Sequence, residues 1–153
     1  MKRANATPMR GRSQLKEHGY IIPLTEYSMY GIMTFMAWEV EFTGEFERWW
    51  NSLAEEEQVE IAAKVELLEE HGPTLPRPHA DVITSSRHAN MKELRGKVDE
   101  RYLRVLYAFD PRRTALLLIG GDKTGDSKWY EKFVPIADDL FDRHLKELSK
   151  RKR

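Results

Sequence analysis

Residues 101–120, "RYLRVLYAFDPRRTALLLIG", restrict the fold of this chain more than any other segment. The first nine residues alternate with the period of two that is typical of a β-strand. One side of this strand carries Leu103, Val105, Tyr107 and Phe109, and the other carries Tyr102, Arg104, Leu106 and Ala108. "DPRRT" has the composition of a turn, and "ALLLIG" is apolar throughout, as a central strand is. With "MKELRG" (91–96) before them, these segments predict an antiparallel meander.

The region before the meander predicts a strand and two helices. "AWEVEF" (37–42) alternates as a half-buried strand does, and Thr43 can cap a short helix over "GEFERWWNS". The stretch Ser52-Leu53-Ala54-Glu55 has the form of a capping box for a second helix, which ends at Gly72 and Pro73. Residues 73–90 are rich in proline and polar residues and predict a long loop. A final helix is expected with Pro135 in or near its first turn.

These elements define an α+β fold. An N-terminal strand and helical hairpin pack on one face of a mainly antiparallel sheet, and a C-terminal helix follows. We expect the opposite face to stay open to solvent, with Arg104 on it, Arg95 beside it and the loop 123–130 at its edge. Residues 1–35 lack a sustained period and are predicted to be a poorly structured extension, whereas residues 36–153 form the domain.

Composition limits the class of protein. A chain of 153 residues suits one compact domain, and the absence of cysteine excludes disulfides and thiolate chemistry. The basic start is not followed by an apolar stretch long enough for a signal peptide or a membrane span. These features predict a cytoplasmic protein with no membrane partner.

Charge is segregated along the chain although the formal net charge is zero. Residues 36–70 carry two basic and eleven acidic residues, whereas residues 87–132 carry eleven basic and seven acidic residues. The last eleven residues add six basic residues against one acidic residue. Such a distribution is compatible with two solvated faces or with an anionic partner for the basic half.

Two kinds of ligand site are disfavoured. The stretch from Gly120 to Ser127 has the glycine spacing of a phosphate-binding P-loop, but Asp126 replaces the required lysine and would repel a phosphate. Three histidines of the central region lie too far apart for a paired metal motif: His71, His79 and His88. We therefore expect no metal and no cofactor. His144 of the last helix is predicted to be a packed histidine.

Three segments together resemble a known family. "MKELRG", "YLRVLYAFDPRRTALLLIGGDKTGD" and "WYEKFVPIADDLFDRHL" are similar in type and order to the HigB-like branch of the RelE/ParE toxin superfamily, over about residues 36–148. The resemblance implies a RelE-like fold and a toxin of a type II toxin-antitoxin system. It further implies a ribosome-dependent mRNA endoribonuclease, with mRNA, the ribosome and a cognate antitoxin of helix-turn-helix type as partners. We expect the antitoxin on the basic face or beside the terminal helix.

The resemblance also implies site residues. Four positions match the catalytic residues of the RelE branch: Arg95, Arg104, Lys123 and Tyr130. The sequence departs from RelE at three positions: Met91, Glu93 and Thr124. Lys92 and Lys128 are possible substitutes that bind RNA, and Trp129 could stack on a base.

The chemistry expected of such a site requires no metal. RNA supplies its own nucleophile, the 2′-hydroxyl, so an enzyme needs a base, an acid and positive charge for the developing phosphorane. The arginines match phosphate oxygens, and Tyr130 or Lys123 can transfer protons. Two noncatalytic alternatives share the pattern, namely a ParE-like inhibitor of DNA gyrase and a protein-binding module.

Overall fold

The computed structural model describes residues 7–8 and 37–152. The chain alternates between short strands and helices before a three-stranded meander and a long last helix. The elements are β1 (Thr7–Pro8), β2 (Val40–Phe42), α1 (Gly44–Asn51), α2 (Glu55–His71), a 3₁₀ turn (Gly72–Thr74), β3 (Ala80–Val82), β4 (Lys92–Val98), β5 (Arg101–Phe109), β6 (Ala115–Asp122) and α3 (Trp129–Arg151). The α+β class, the meander and the C-terminal helix are confirmed.

The strands form one sheet in the order β1-β2-β6-β5-β4-β3. All neighbouring strands are antiparallel except β2 and β6, which run parallel, so the mainly antiparallel prediction is confirmed. In the centre of the sheet Arg95 pairs with Arg104, which pairs on its other side with Gly121. Directly paired residues point to the same face, so this register places the two arginines side by side.

Strand β3 was not predicted. It lies inside the segment predicted as a long loop and pairs with β4, Asp81 opposite Glu93. Its three residues, Ala-Asp-Val, are too few to show a period, and only pairing with β4 makes them a strand.

The helical hairpin α1–α2 covers the first face of the sheet. Its core joins apolar residues of both helices to β2, β4, β5 and β6, among them Phe46, Ile61, Val65, Leu94 and Leu103. The predicted cap of α1 is confirmed, because Thr43 Oγ1 accepts the Phe46 N–H at 3.0 Å. The same hydroxyl donates to the Leu118 carbonyl at 2.6 Å, which ties the start of the helix to the sheet.

The predicted capping box of α2 is wrong. The cap is Ala54, whose N–H donates to Glu57 Oε1 at 2.9 Å, and the helix begins at Glu55. Ser52 instead donates its hydroxyl to the Trp49 carbonyl at 2.6 Å and ends α1. A carboxylate that reaches back satisfies the orphan N–H without a hydroxyl at the cap, so the serine is free to close the preceding helix.

The predicted end of α2 at Gly72 is confirmed. Gly72 has φ of 60°, which favours glycine, and the ring of Trp38 lies 2.3 Å from where a Cβ would be. Any side chain at Gly72 would therefore displace Trp38.

The second face of the sheet is covered by α3, so the prediction of an open face is wrong. A second core joins Leu106, Leu116 and Leu118 of the sheet to Val134 and Phe141 of the helix. The helix begins at Trp129, well before Pro135, which lies inside it and not in its first turn. The residues before Pro135 let α3 cross the apolar part of this face. Arg104 lies beside the first turn of the helix, next to Tyr130.

The predicted extension lies almost entirely outside the described residues. Its described part, Thr7–Pro8, pairs with Phe42 and Glu41 of β2. The poorly structured character of residues 1–35 stays a prediction. Within the described ranges, no helix is both long and apolar enough to cross a membrane.

Candidate functional site

Four side chains meet on the second face of the sheet, where the first turn of α3 crosses it. They are Glu93 and Arg95 of β4, Arg104 of β5 and Tyr130 of α3, and we call them the Glu93 cluster. The strand register brings the arginines together, and residues two apart on β4 share a face. Tyr130 reaches the same place because α3 begins one residue before it.

Hydrogen bonds of the cluster converge on one carboxylate. The Tyr130 hydroxyl donates to Glu93 Oε1 at 2.7 Å, and Arg95 Nε donates to Oε2 at 3.0 Å. Arg104 Nε lies 3.5 Å from Glu93 Oε1 and 3.4 Å from the Tyr130 oxygen. Arg104 also donates from Nη1 to the Leu103 carbonyl at 3.0 Å. The carboxylate thus orients a phenol and two guanidinium groups.

Burial sets the electrostatics of the cluster. Glu93 is 2% exposed and Arg104 is 8% exposed, so the expectation that Arg104 lies free on an open face is wrong. Burial and the hydrogen bond to Glu93 raise the pKa of Tyr130, and the nearby Arg104 opposes this only in part. The phenol therefore keeps its proton at neutral pH.

The outer side of Arg95 meets a second carboxylate. Arg95 Nη2 donates to Asp81 Oδ2 at 3.1 Å, and Arg77 Nη2 lies 2.7 Å from the same oxygen. The Val82 N–H and Arg77 lower the pKa of Asp81. Arg95 is therefore held between the carboxylates of Glu93 and Asp81. Of these two carboxylates, Arg104 contacts only that of Glu93.

Beyond Arg104 the same face ends in an exposed aromatic ring. Tyr102 is 38% exposed, and the Nζ atoms of Lys97 and Lys123 lie 5.3 and 5.8 Å from its ring centroid. The Tyr102 N–H donates to Thr124 Oγ1 at 2.7 Å, and the Lys123 N–H donates to the Tyr102 carbonyl at 2.9 Å. We call Tyr102, Lys97 and Lys123 the Tyr102 rim.

The predicted catalytic residues fall into two groups. Arg95, Arg104 and Tyr130 meet in the Glu93 cluster, whereas Lys123 lies in the Tyr102 rim. The register of the meander accounts for this division. Gly121 pairs with Arg104, so Lys123, two residues later, lies beside Tyr102 and not beside the arginines. Their catalytic roles stay predictions.

The predicted RNA-binding residues are mostly placed elsewhere. Lys92 belongs to the first face, pairs with Tyr107 and donates to the Pro73 carbonyl at 2.7 Å, so it lies apart from the Glu93 cluster and its RNA-binding role stays a prediction. Trp129 is 1% exposed and stacks on Phe133 at 4.6 Å, so the base-stacking assignment is wrong. Its ring turns inward because it is the first residue of α3 and fits the space above Gly121. Lys128 is exposed beside the helix start, and its role stays a prediction.

Two residues of the site were not predicted. Glu93 was treated as a departure from RelE, yet it organises the cluster, and Tyr102 was read only as part of a strand face. The signal was present in the period of two, since Glu93 shares a strand face with Arg95 and Tyr102 shares one with Arg104.

A separate polar cluster ties the β5–β6 turn to α3. His144 Nε2 lies 2.8 Å from Asp110 Oδ2, and Arg112 Nη2 donates to the same oxygen at 2.7 Å. Burial would raise the pKa of Asp110, but the hydrogen bonds from His144 and Arg112 hold it below its ordinary value of 3.8. The prediction that His144 is a packed histidine is confirmed, since it is 3% exposed.

Among residues 7–8 and 37–152, no group of three or more histidine, aspartate or glutamate side chains is arranged to hold a metal ion. The chemistry available at the site is that of arginine, lysine, tyrosine and carboxylate groups.

The fold and the Glu93 cluster define a small α+β protein with a hydrogen-bonded site of two arginines, a tyrosine and a glutamate where the last helix starts across the sheet. Residues 48–142 match the family described as "Phage derived protein Gp49-like (DUF891)", and the chain belongs to this family.

Two relatives come from Mycobacterium tuberculosis (strain ATCC 25618 / H37Rv). One, named "Putative toxin HigB2", is 41% identical over 115 residues, which are 72% of this chain and 57% of the relative. The other, named "Putative toxin HigB3", is 46% identical over 93 residues, which are 60% of this chain and 80% of the relative. The chain thus spans just over half the length of the first relative. No solved structure gave a significant match.

These relatives confirm the resemblance to HigB-type toxins. Membership of the RelE/ParE superfamily stays a prediction.

Proposed function

We propose that this protein is the toxin of a type II toxin-antitoxin system and that it cleaves mRNA on the ribosome at the Glu93 cluster. The observation that carries the proposal is the convergence of Arg95, Arg104 and Tyr130 on the buried carboxylate of Glu93. The toxin names of the two relatives support the first part. Cytoplasmic localisation follows from the ribosomal target and is part of the proposal.

The reaction is a transesterification within the RNA. The 2′-oxygen forms a bond to the adjacent phosphorus while the bond to the 5′-oxygen breaks, which leaves a 2′,3′-cyclic phosphate and a 5′-hydroxyl. Arg104 and Arg95 offer donors to the phosphate oxygens that gain charge in the transition state. The nucleophile belongs to the substrate, so the chemistry needs no metal.

Tyr130 and Glu93 form a path for the proton of the 2′-hydroxyl. The phenol is neutral at physiological pH because its pKa is raised, and it already donates to Glu93 at 2.7 Å. It can therefore accept the 2′-proton while it passes its own proton to the carboxylate. Lys123, which lies in the Tyr102 rim, donates a proton to the departing 5′-oxygen.

The alternative is a noncatalytic, ParE-like gyrase inhibitor or protein-binding module. It is favoured by one observation, the pairing of both arginines with Glu93 inside the protein. A substrate phosphate would have to compete with that carboxylate for Arg104.

The test compares variants of the cluster during cell-free translation, with the ends of the mRNA mapped. Tyr130→Phe and Arg104→Lys should each slow cleavage by ~100-fold or more, as loss of an aimed donor or proton carrier does. Arg48→Ala is the control, because its side chain is 74% exposed on α1 and is paired with Glu45 at 3.9 Å.

Wild-type products should carry 5′-hydroxyl ends. Cleavage at the wild-type rate by both cluster variants would refute the nuclease. Growth arrest with intact mRNA and inhibited gyrase would establish the ParE-like alternative.

A cognate antitoxin is proposed to bind beside the C-terminal end of α3. A groove there is lined by the apolar residues Pro111, Leu145 and Leu148 and by the basic residues Arg112, Arg151 and Lys152. A lining that combines apolar and cationic side chains suits an acidic amphipathic segment of a partner.

A further inference from the structure

The Tyr102 rim combines features that are rarely exposed together on a small domain. Four large hydrophobic side chains are exposed among the described residues, and Tyr102 is the aromatic one. The other three are aliphatic: Val59, Val82 and Ile136. Its ring is accompanied by two lysine ammonium groups within 6 Å, Lys97 and Lys123. An exposed ring in cationic surroundings is the arrangement that proteins use to bind unpaired nucleotides.

Backbone contacts fix the main chain from which this ring projects. The Tyr102 N–H is bonded to Thr124 Oγ1, and its carbonyl accepts the Lys123 N–H, so the tyrosine and the loop after β6 are joined on both sides. Thr124 is itself held by Asp122, to which it donates its N–H at 2.9 Å. A platform held this way loses little conformational freedom when a ligand stacks on it.

The ring also lies at a useful distance from the Glu93 cluster. Tyr102 and Arg104 are two residues apart on β5, so their side chains project from the same face with about 7 Å between their Cα atoms. Successive phosphates of an extended RNA strand are spaced by a similar length, so a nucleotide beside the one bound at Arg104 can reach the ring.

We propose that Tyr102 stacks on an unpaired base next to the scissile phosphate and that Lys97 neutralises the adjoining backbone, while Lys123 serves the scissile phosphate itself. The ligand class is single-stranded RNA. Stacking tolerates every base, and the lysine contacts carry no sequence information, so the platform positions the strand and does not by itself read sequence. This inference rests on the proposed nuclease function and deepens it.

The probe is a short fluorescein-labelled RNA with every 2′-hydroxyl methylated, which can bind but cannot cleave itself by 2′-attack. Tyr102→Ala should weaken its binding by ~10-fold or more, whereas Tyr102→Phe should retain affinity within about twofold, because the ring and not the hydroxyl stacks. Lys97→Gln should reduce the dependence of affinity on salt by about one ion. Val59→Ala, an exposed apolar residue of α2, is the matched control.

Three results would overturn the platform. These are unchanged affinity in Tyr102→Ala, an equal loss in Tyr102→Phe and Tyr102→Ala, or a Tyr102 effect on antitoxin binding alone. Thermal unfolding of each variant accompanies the titration, and Tyr102→Phe keeps the inference testable should the alanine variant fail to fold.

The two proposals fail separately. Tyr102-dependent binding of the methylated RNA without cleavage of unmodified mRNA would retain the platform and refute the nuclease. Cleavage by wild-type protein with no effect of Tyr102→Ala on binding or on rate would retain the nuclease and refute the platform.

Discussion

The buried carboxylate of Glu93 makes a quantitative prediction about stability. Arg104→Ala removes one of three partners of Glu93, and the remaining two, Tyr130 and Arg95, are the closer ones at 2.7 and 3.0 Å. Complete loss of the partner of a buried charge costs about 3–5 kcal/mol, so the loss of this longer contact should cost about 2 kcal/mol. For a domain of this size that lowers Tm by about 8 °C.

Coupling between the two residues separates the ion pair from simple packing. In a Glu93→Gln background no buried charge is left behind, so Arg104→Ala should cost about 1 kcal/mol less than in the wild type. Urea unfolding of the four proteins, followed by far-ultraviolet circular dichroism, gives this difference.

An exposed ion pair provides the control cycle. Arg143 Nη1 and Glu45 Oε2 lie 3.7 Å apart, with both side chains partly in water, and should couple by less than about 0.5 kcal/mol. The effects of Glu93→Gln and Arg104→Ala on the free energy of unfolding could prove as nearly additive as those of substitutions in the surface pair. Glu93 would then not depend on Arg104, and the account of the cluster would be wrong.

Four further predictions address pH, the partner and the N-terminus. The pKa of Asp110 is lowered in the fold, so the stabilising effect of this carboxylate is present above its ordinary pKa of 3.8 and is lost as the pH falls below that value. The difference in Tm between wild type and Asp110→Asn should therefore be largest at neutral pH and shrink toward pH 3. A difference that stays constant with pH would refute this. Because the pKa of Tyr130 is raised above its ordinary 10.0, the rate of RNA cleavage should show no rise from tyrosine ionisation below that pH, and an inflection near pH 8 that Tyr130→Phe abolishes would contradict the relay. Charge reversal at Lys152 and Arg151 should weaken antitoxin binding by ~10-fold at low salt, measured by calorimetry, with Arg48→Glu as the control. A chain that begins at Met36 should still melt cooperatively within a few degrees of the full chain, and loss of the cooperative transition would show that residues 1–35 support the fold.

The sequence predicted elements that have a clear period and failed where tertiary contacts decide. Strand β5 was predicted from Arg101 to Phe109, and the structure has these bounds because its alternation extends over nine residues. Strand β3 is too short to show a period, so the sequence pattern could not predict it. Ser52 and Ala54 were both possible N-cap positions of α2, and the sequence pattern alone did not distinguish them. The open face was predicted because all helices were expected on one face of the sheet, whereas α3 packs on the other.

The site was predicted in part for the same reason. The resemblance to HigB-like toxins indicated Arg95, Arg104 and Tyr130; the sheet register brings the two arginines together, and the start of α3 adds the tyrosine. Burial could not be deduced from one sequence, so Trp129 was assigned a surface role and Glu93 was regarded as a loss.

The parallel pairing of β2 with β6 bears on when the protein becomes complete during synthesis. Thr43 bonds to Leu118 across 75 residues, and Glu93 acquires its phenolic partner only from Tyr130, in the last helix. The pairing of β2 with β6 and the assembly of the Glu93 cluster must therefore wait until residues up to Tyr130 have left the ribosome. Under the proposed function, a nascent chain that still lacks Tyr130 should be unable to cleave the message from which it is being translated.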